Sequence, residues 1–324
     1  MPALRVVLIS CVLAAAFPAG TVDAAPAKAA PAAASDAASR VLKPLREARR
    51  IVVLGDSITY GGGWVATLAC WMETAGIEGM VINMGLSSET VSGLSEAGHA
   101  GGRFPRPDLH ERLDRVLRVS RPDVVLACYG MNCGIYQPFD AERFRTFQKG
   151  IDRLHEAVTA TGATIVHLTP PIYDQRPDKA GPARDTDYDA VLAHYSAWLL
   201  SKRADGWLVI DVHGPMKAAC EQARASDPTA IFCPDTVHPN AAGHWVITRA
   251  VLDGLGVPAD WTEEQADPLR PLVTERLNLL RDAYLSAAGH QRPGIRQGPP
   301  LDEALSAANR LTDCIRQDRQ QTAD

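Results

Sequence analysis

No Gly-x-Ser-x-Gly pentapeptide occurs anywhere in the chain, which excludes the strained strand–serine–helix elbow built on that motif. No His-Glu-x-x-His or comparable ligand spacing occurs either. His213, His238 and His244, with Asp211, therefore carry no recognisable metal signature, and no metal or cofactor is expected. Basic residues are not in excess: the formal net charge is -5, without the positive footprint that a nucleic-acid partner requires. The amino-terminal apolar run from Val6 to Phe17 falls short of the roughly 18–20 residues that cross a bilayer. A stable membrane span is therefore not expected. No internal repeat is visible, so the chain is not a solenoid.

What is present is ordinary globular material. Of 324 residues, 46% are hydrophobic and 22% charged, enough to bury a sizeable core in one large domain or two small ones. The first residues form a leader. Arg5 supplies a short basic segment, Val6 to Phe17 the apolar one, and Val22-Asp23-Ala24 the small residues that suit cleavage after Ala24. Residues 1–24 are thus expected to be a signal peptide, and the protein to be secreted or periplasmic. Leu8-Ile9-Ser10-Cys11 loosely imitates a lipoprotein box, but too little apolar sequence precedes Cys11 for lipidation. Residues 25–40, rich in Ala and Pro, read as a disordered tether outside the fold. With Cys11 gone six cysteines remain, which in an exported chain permits disulfides. Cys220 and Cys233, flanking one short polar segment, are the preferred pair, although sequence does not determine the pairing.

Beyond the tether, short apolar runs alternate with amphipathic ones. Ile51–Leu54, Met80–Asn83, Asp123–Cys128, Thr164–Leu168 and Trp207–Ile210 read as strands. Trp64–Ala75, Asp108–Val119, Phe139–Thr161, Asp187–Ala204 and Ala241–Leu255 read as helices. Such alternation predicts a parallel five-stranded sheet covered on both faces, a three-layer α/β/α sandwich spanning residues 41–258. Residues 259–324 follow as a helical extension, with helices over Glu263–Ala287 and Leu301–Ile315, packed on the main domain.

Each strand delivers something chemical at its carboxyl end. The first gives Gly55-Asp56-Ser57, the second Asn83-Met84-Gly85, the third Gly130-Met131-Asn132, and the last loop Asp235-Thr236-Val237-His238. Open parallel sheets bind ligands along this rim. A serine, a histidine, an amide and an accessible glycine there are the parts for acyl transfer through a serine ester. Taken singly, each fragment has a bland reading. Gly55-Asp56-Ser57 is also a helix-capping turn, Asp235–Asn240 a helix entry, Asn132 a loop residue and Gly85 a turn residue. Asp56 reads as structural support for its turn. Trp64 and Tyr136 flank the rim, where aromatics usually serve packing. Arg292 and Arg296 read as solvated surface.

Gly55-Asp56-Ser57, Gly85, Gly130-x-Asn132 and Asp235-x-x-His238 together resemble, in order, the four blocks of the SGNH (GDSL) hydrolase superfamily. The resemblance runs from about Ile51 to Ala250. It implies a flavodoxin-like fold and an esterase, lipase, thioesterase or carbohydrate deacetylase. Carried over by position, Ser57 is the nucleophile, His238 the general base and Asp235 the group that orients the imidazole. The Ser57 and Gly85 N–H groups and the Asn132 amide are the implied oxyanion donors. One position departs: Cys133 follows Asn132 where the family commonly has Asp, which removes a carboxylate near the oxyanion site. Cys133 reads as a buried or bonded cysteine rather than a second nucleophile. The expected function is an exported serine esterase acting on a small-molecule or carbohydrate ester, with short acyl groups first. Lysophospholipase or lipase action, acyl transfer to a second alcohol, and a non-catalytic binding protein are the alternatives.

Overall fold

The computed structural model describes residues 31–323, apart from 177–180 and 184–185. The leader expected at residues 1–24 and the first part of the tether lie outside the described residues. Five strands form one parallel sheet: β1 (Arg50–Gly55), β2 (Met80–Asn83), β3 (Val124–Cys128), β4 (Thr164–Leu168) and β5 (Leu208–Ile210). Their order is β2-β1-β3-β4-β5, the doubly wound arrangement in which the chain reverses direction beside β1. The central strands are apolar without alternation because both faces are covered. Ile51 to Leu54 and Val124 to Leu126 are all buried.

Helices α3 (Gly63–Thr74) and α8 (Ala241–Gly254) pack together, as do α4 (Leu109–Ser120) and α5 (Ala141–Thr159). Four of the helices start at a side chain that accepts an orphan backbone N–H. Asp108 caps α4, Asp140 caps α5, Asn240 caps α8, and Asp187 caps α6 (Tyr188–Ser201). These caps explain why the acidic and amide residues between apolar runs mark the boundaries so closely.

Three features depart from expectation. Helix α1 (Pro31–Glu47) begins well inside the stretch expected to be a tether. Val41, Leu45 and Ala48 are buried, so one face is anchored and the Ala-rich segment before it propagates the helix. Helix α7 (His213–Ser226) was not expected; its Met216 and Cys220 are buried while most of it faces water, a pattern with too few apolar residues to announce itself. Finally, the Cys220–Cys233 disulfide is not formed, and both residues are buried free thiols. The polar segment between them bends around Asp174, not around a sulfur bridge.

The carboxyl-terminal residues continue the same body. Helix α9 (Arg270–Ala288) lies against β2, α3 and α4 and buries Val273, Leu277, Leu280 and Tyr284. Arg276 reaches Glu73 on α3 at 2.6 Å, and α10 (Leu301–Ala323) packs on α9. The β2 edge, which would otherwise be an open ladder, is thereby shielded.

Candidate active site

Ser57 is the first residue of α2 (Ser57–Gly61), a single turn that starts where β1 ends. Asp56 caps it, its Oδ1 accepting the Ile58 N–H at 3.0 Å. A residue at this first helical position has no intrahelical acceptor for its N–H. Much later in the chain, Asp235 and His238 share the loop that enters α8. Asp235 Oδ1 accepts the N–H groups of Val237 and His238, at 3.0 and 2.7 Å. Its Oδ2 meets His238 Nδ1 at 2.6 Å, and His238 Nε2 meets Ser57 Oγ at 2.8 Å. Residues 181 positions apart thus form one continuous hydrogen-bonded chain.

The electrostatics suit that chain. Partial burial alone would raise the Asp235 pKa, but the bonds from the His238 backbone, the His238 ring and the Val237 backbone outweigh it and leave the carboxyl below its usual range. It is therefore ionised wherever an imidazole beside it would be asked to carry a proton. The His238 and Asp235 side chains are 50% and 58% exposed. The site is consequently an open rim and not an enclosed cavity.

Two of the three expected oxyanion donors are placed differently from each other. Asn132 is buried at the end of β3, its Nδ2 donating to the Glu89 carbonyl at 3.3 Å, which leaves its second amide hydrogen for another acceptor. Gly85 lies just beyond the end of β2. Its N–H is already donated to Asn83 Oδ1 at 2.9 Å. A side chain here would put Cβ 2.5 Å from the Tyr60 nitrogen, so glycine is required because the end of β2 passes directly against α2. Gly85 supports the turn that carries Ser57 from behind. Asn83 links the same two segments, its Nδ2 donating to the Thr59 carbonyl at 2.7 Å.

One residue beside the site escaped the sequence reading, and others are placed differently from it. Asp174, buried after β4, donates its N–H to the Thr236 carbonyl at 2.9 Å. Its carboxylate accepts the N–H groups of Phe232 and Cys233, at 3.3 and 3.0 Å, and pairs with Arg224. It therefore holds the strained loop in which Thr236 takes φ 74°. The only sequence signal was its position at a strand's carboxyl end behind Pro170-Pro171. Tyr136 bonds Asn132 and is discussed below. Arg292 is not a solvated surface residue: its Nε donates to the Ser87 carbonyl at 3.0 Å, and its guanidinium lies 5.2 Å from the Phe104 ring centre. Arg296, by contrast, is 83% exposed. Trp64 is fully buried packing. Burial pushes the Cys133 thiol up to about 12, which leaves it protonated and unreactive. Among the described residues no group of three or more His, Cys, Asp or Glu is arranged to hold a metal ion. His213 is buried at the start of α7, and Asp211 accepts Thr169 Oγ1 and the Gly214 N–H instead.

The family model described as GDSL-like lipase/acylhydrolase matches residues 53–246. The chain belongs to that family. The match includes Ser57, Asn132, Asp235 and His238, and this GDSL-family protein is a carboxylic ester hydrolase. A search of curated proteins matched none of them. Solved structures share the fold. An acetyl-xylooligosaccharide esterase, Axe2 of Geobacillus stearothermophilus, is 20% identical with TM-score 0.50, over 66% of this chain and 97% of that one. The acetyl xylan esterase AlAXEase is 18% identical with TM-score 0.50, over 64% and 99%. BT4096, a gut microbial diltiazem-metabolizing enzyme, is 22% identical with TM-score 0.49, over 64% of this chain but only 47% of its own longer one.

Proposed function

We propose that this GDSL-family protein is an exported serine esterase that cleaves short-chain acyl esters, acetylated carbohydrate foremost, through an acyl-enzyme. The observation that carries the reading is the unbroken chain Ser57 Oγ, His238 Nε2, His238 Nδ1, Asp235 Oδ2, with links of 2.8 and 2.6 Å. A serine hydroxyl is inert at its own pKa and needs a neutral imidazole within hydrogen-bond reach to take its proton. In this reading His238 removes the Ser57 proton as Oγ attacks the ester carbonyl, Asp235 stabilises the imidazolium, and the Ser57 N–H and Asn132 Nδ2 receive the oxyanion. His238 then protonates the departing alcohol, and water, activated in the same way, releases the acid and restores Ser57.

The substrate class rests on the open rim. With His238 and Asp235 half exposed, a bulky polar alcohol moiety can approach, while no long apolar channel is required. The acetylxylan esterases that share the fold act on ester substrates of that kind. Export rests on the leader-like residues 1–24.

The test is a p-nitrophenyl ester series from acetate to laurate, run with wild type and Ser57→Ala in parallel. Turnover confined to acetate and butyrate and abolished in the variant, with the unfolding midpoint unchanged, is the expected result. A folded Ser57→Ala protein that still hydrolyses acetate overturns the nucleophile, and a maximum at long chains moves the substrate to lipid esters.

A further inference from the structure

The Asn132 amide is held from behind by a cation. Its Oδ1 accepts Arg106 Nη1 at 2.9 Å and Tyr136 Oη at 3.0 Å. With two donors on the oxygen the amide sits only one way round, its NH2 turned away from both. We propose that Arg106 is a positioning residue for the oxyanion site, fixing and polarising the Asn132 amide so that one N–H is presented to the developing negative charge. This rests on the serine-ester reading of Ser57 and Asn132.

The surroundings are built for that task. Arg106 is only 7% exposed, and its other two nitrogens are taken by Glu96, Nε at 2.7 Å and Nη2 at 2.6 Å. A bidentate pair of this geometry leaves the guanidinium no freedom to rotate. Burial alone would raise the Glu96 pKa, but its bonds to Arg106 prevail and keep it below the usual range, so the clamp stays ionised. Pro105 and Pro107 flank Arg106 in sequence and hold its backbone extended, while its own N–H donates to Ser95 Oγ at 2.9 Å. The second donor arrives at some cost in backbone strain. Ile135 and Tyr136 both take left-handed conformations, φ 46° and 55°, and a β-branched residue there is a marked outlier. The Tyr136 ring then lies 5.2 Å from the Arg106 guanidinium carbon.

The arrangement also accounts for Cys133. That residue occupies the position where a carboxylate is common, and its Sγ accepts a long bond from the Val91 N–H at 3.5 Å. Restraint of the amide passes instead to Arg106 and Tyr136. A full positive charge at the carbonyl end of the amide draws electron density from nitrogen and strengthens its N–H as a donor. Arg106 touches no reacting atom and acts through Asn132.

A double-mutant cycle with Arg106→Met and Asn132→Ala, assayed on p-nitrophenyl acetate, tests this. Asn132→Ala should lower kcat by about 10²–10³-fold. Arg106→Met should lower kcat by about tenfold with KM within about twofold, and the double variant should be no slower than Asn132→Ala alone. Arg106→Lys, which restores the charge and one donor, should recover part of the loss. A wild-type kcat in Arg106→Met overturns the proposal, as does a tenfold loss that persists in the Asn132→Ala background. A wild-type kcat in Asn132→Ala shows instead that Asn132 is not an oxyanion donor, so that the reading underneath fails. If Arg106→Met does not fold, Tyr136→Phe removes the other donor to the same oxygen. The same cycle then applies, with non-additivity expected and additivity overturning.

Discussion

Asp56 supplies a quantitative test of how burial acts on this site. It caps the turn that carries Ser57 while being 2% exposed. Burial is the largest influence on its carboxyl and raises the pKa from 3.8 to about 6, against the Ile58 N–H and the His238 charge, which lower it. Between those two values the folded protein keeps a proton that the unfolded chain has released. Stability therefore falls as pH rises from about 4 to about 6, then levels off. At about 1.4 kcal/mol for each pH unit between the two values, the ionised Asp56 costs about 3 kcal/mol at neutral pH. Asn at this position caps a helix as well as Asp does and has no proton to lose. Asp56→Asn should match wild type near pH 4 and exceed it by about 3 kcal/mol above pH 7. Urea unfolding followed by tryptophan fluorescence at pH 4, 5, 6 and 7.5 reads this difference. Other titrating groups, Asp235 included, are common to both proteins and cancel in the comparison. A difference independent of pH, or a variant less stable than wild type at pH 7.5, refutes the reasoning.

The remaining predictions concern the loop and the leader. Asp174→Asn leaves Arg224 without its charged partner, but Arg224 is 28% exposed and reaches water, so the loss should be about 2–3 kcal/mol, below that of a fully buried broken pair. Because the Asp174 carboxylate also accepts the Phe232 and Cys233 N–H groups of the loop that leads to Asp235 and His238, kcat should fall about tenfold; an unchanged melting temperature and kcat would show that the loop is held by something else. Export predicts that the mature protein, recovered from periplasm or medium and weighed by mass spectrometry, begins at Ala25. An intact mass beginning at Met1 in the cytoplasm would refute it.

Much of the architecture was legible in the chain because parallel strands buried on both faces have few ways to be written. Ile51 to Leu54 and Val124 to Leu126 are continuous apolar runs for that reason, and the capping residues Asp108, Asp140, Asp187 and Asn240 punctuate the helices between them. The hydrogen-bonded chain of Asp235, His238 and Ser57 was legible too, since its members sit at the carboxyl end of a strand or at a helix entry. Helix α7 was not, because a helix with one narrow buried stripe has little periodic signal. The expected Cys220–Cys233 disulfide that does not form has a similar origin: spacing along a polar segment says nothing about which way two side chains turn.

By itself, then, the sequence determined the order of strands and helices, the rim on which chemistry collects, and the residues of the Ser57–His238–Asp235 chain. Local burial and turn chemistry dictate these, and both are written in adjacent residues. Only the tertiary structure decided which neighbours those residues answer to. It turned the Gly85 N–H inward to Asn83, brought Arg292 of the carboxyl-terminal extension onto Ser87, and set Arg106 and Tyr136 on one oxygen of Asn132. Hydrogen-bond partners separated by tens to hundreds of residues leave no spacing in the chain, because their distance is fixed by how whole layers pack.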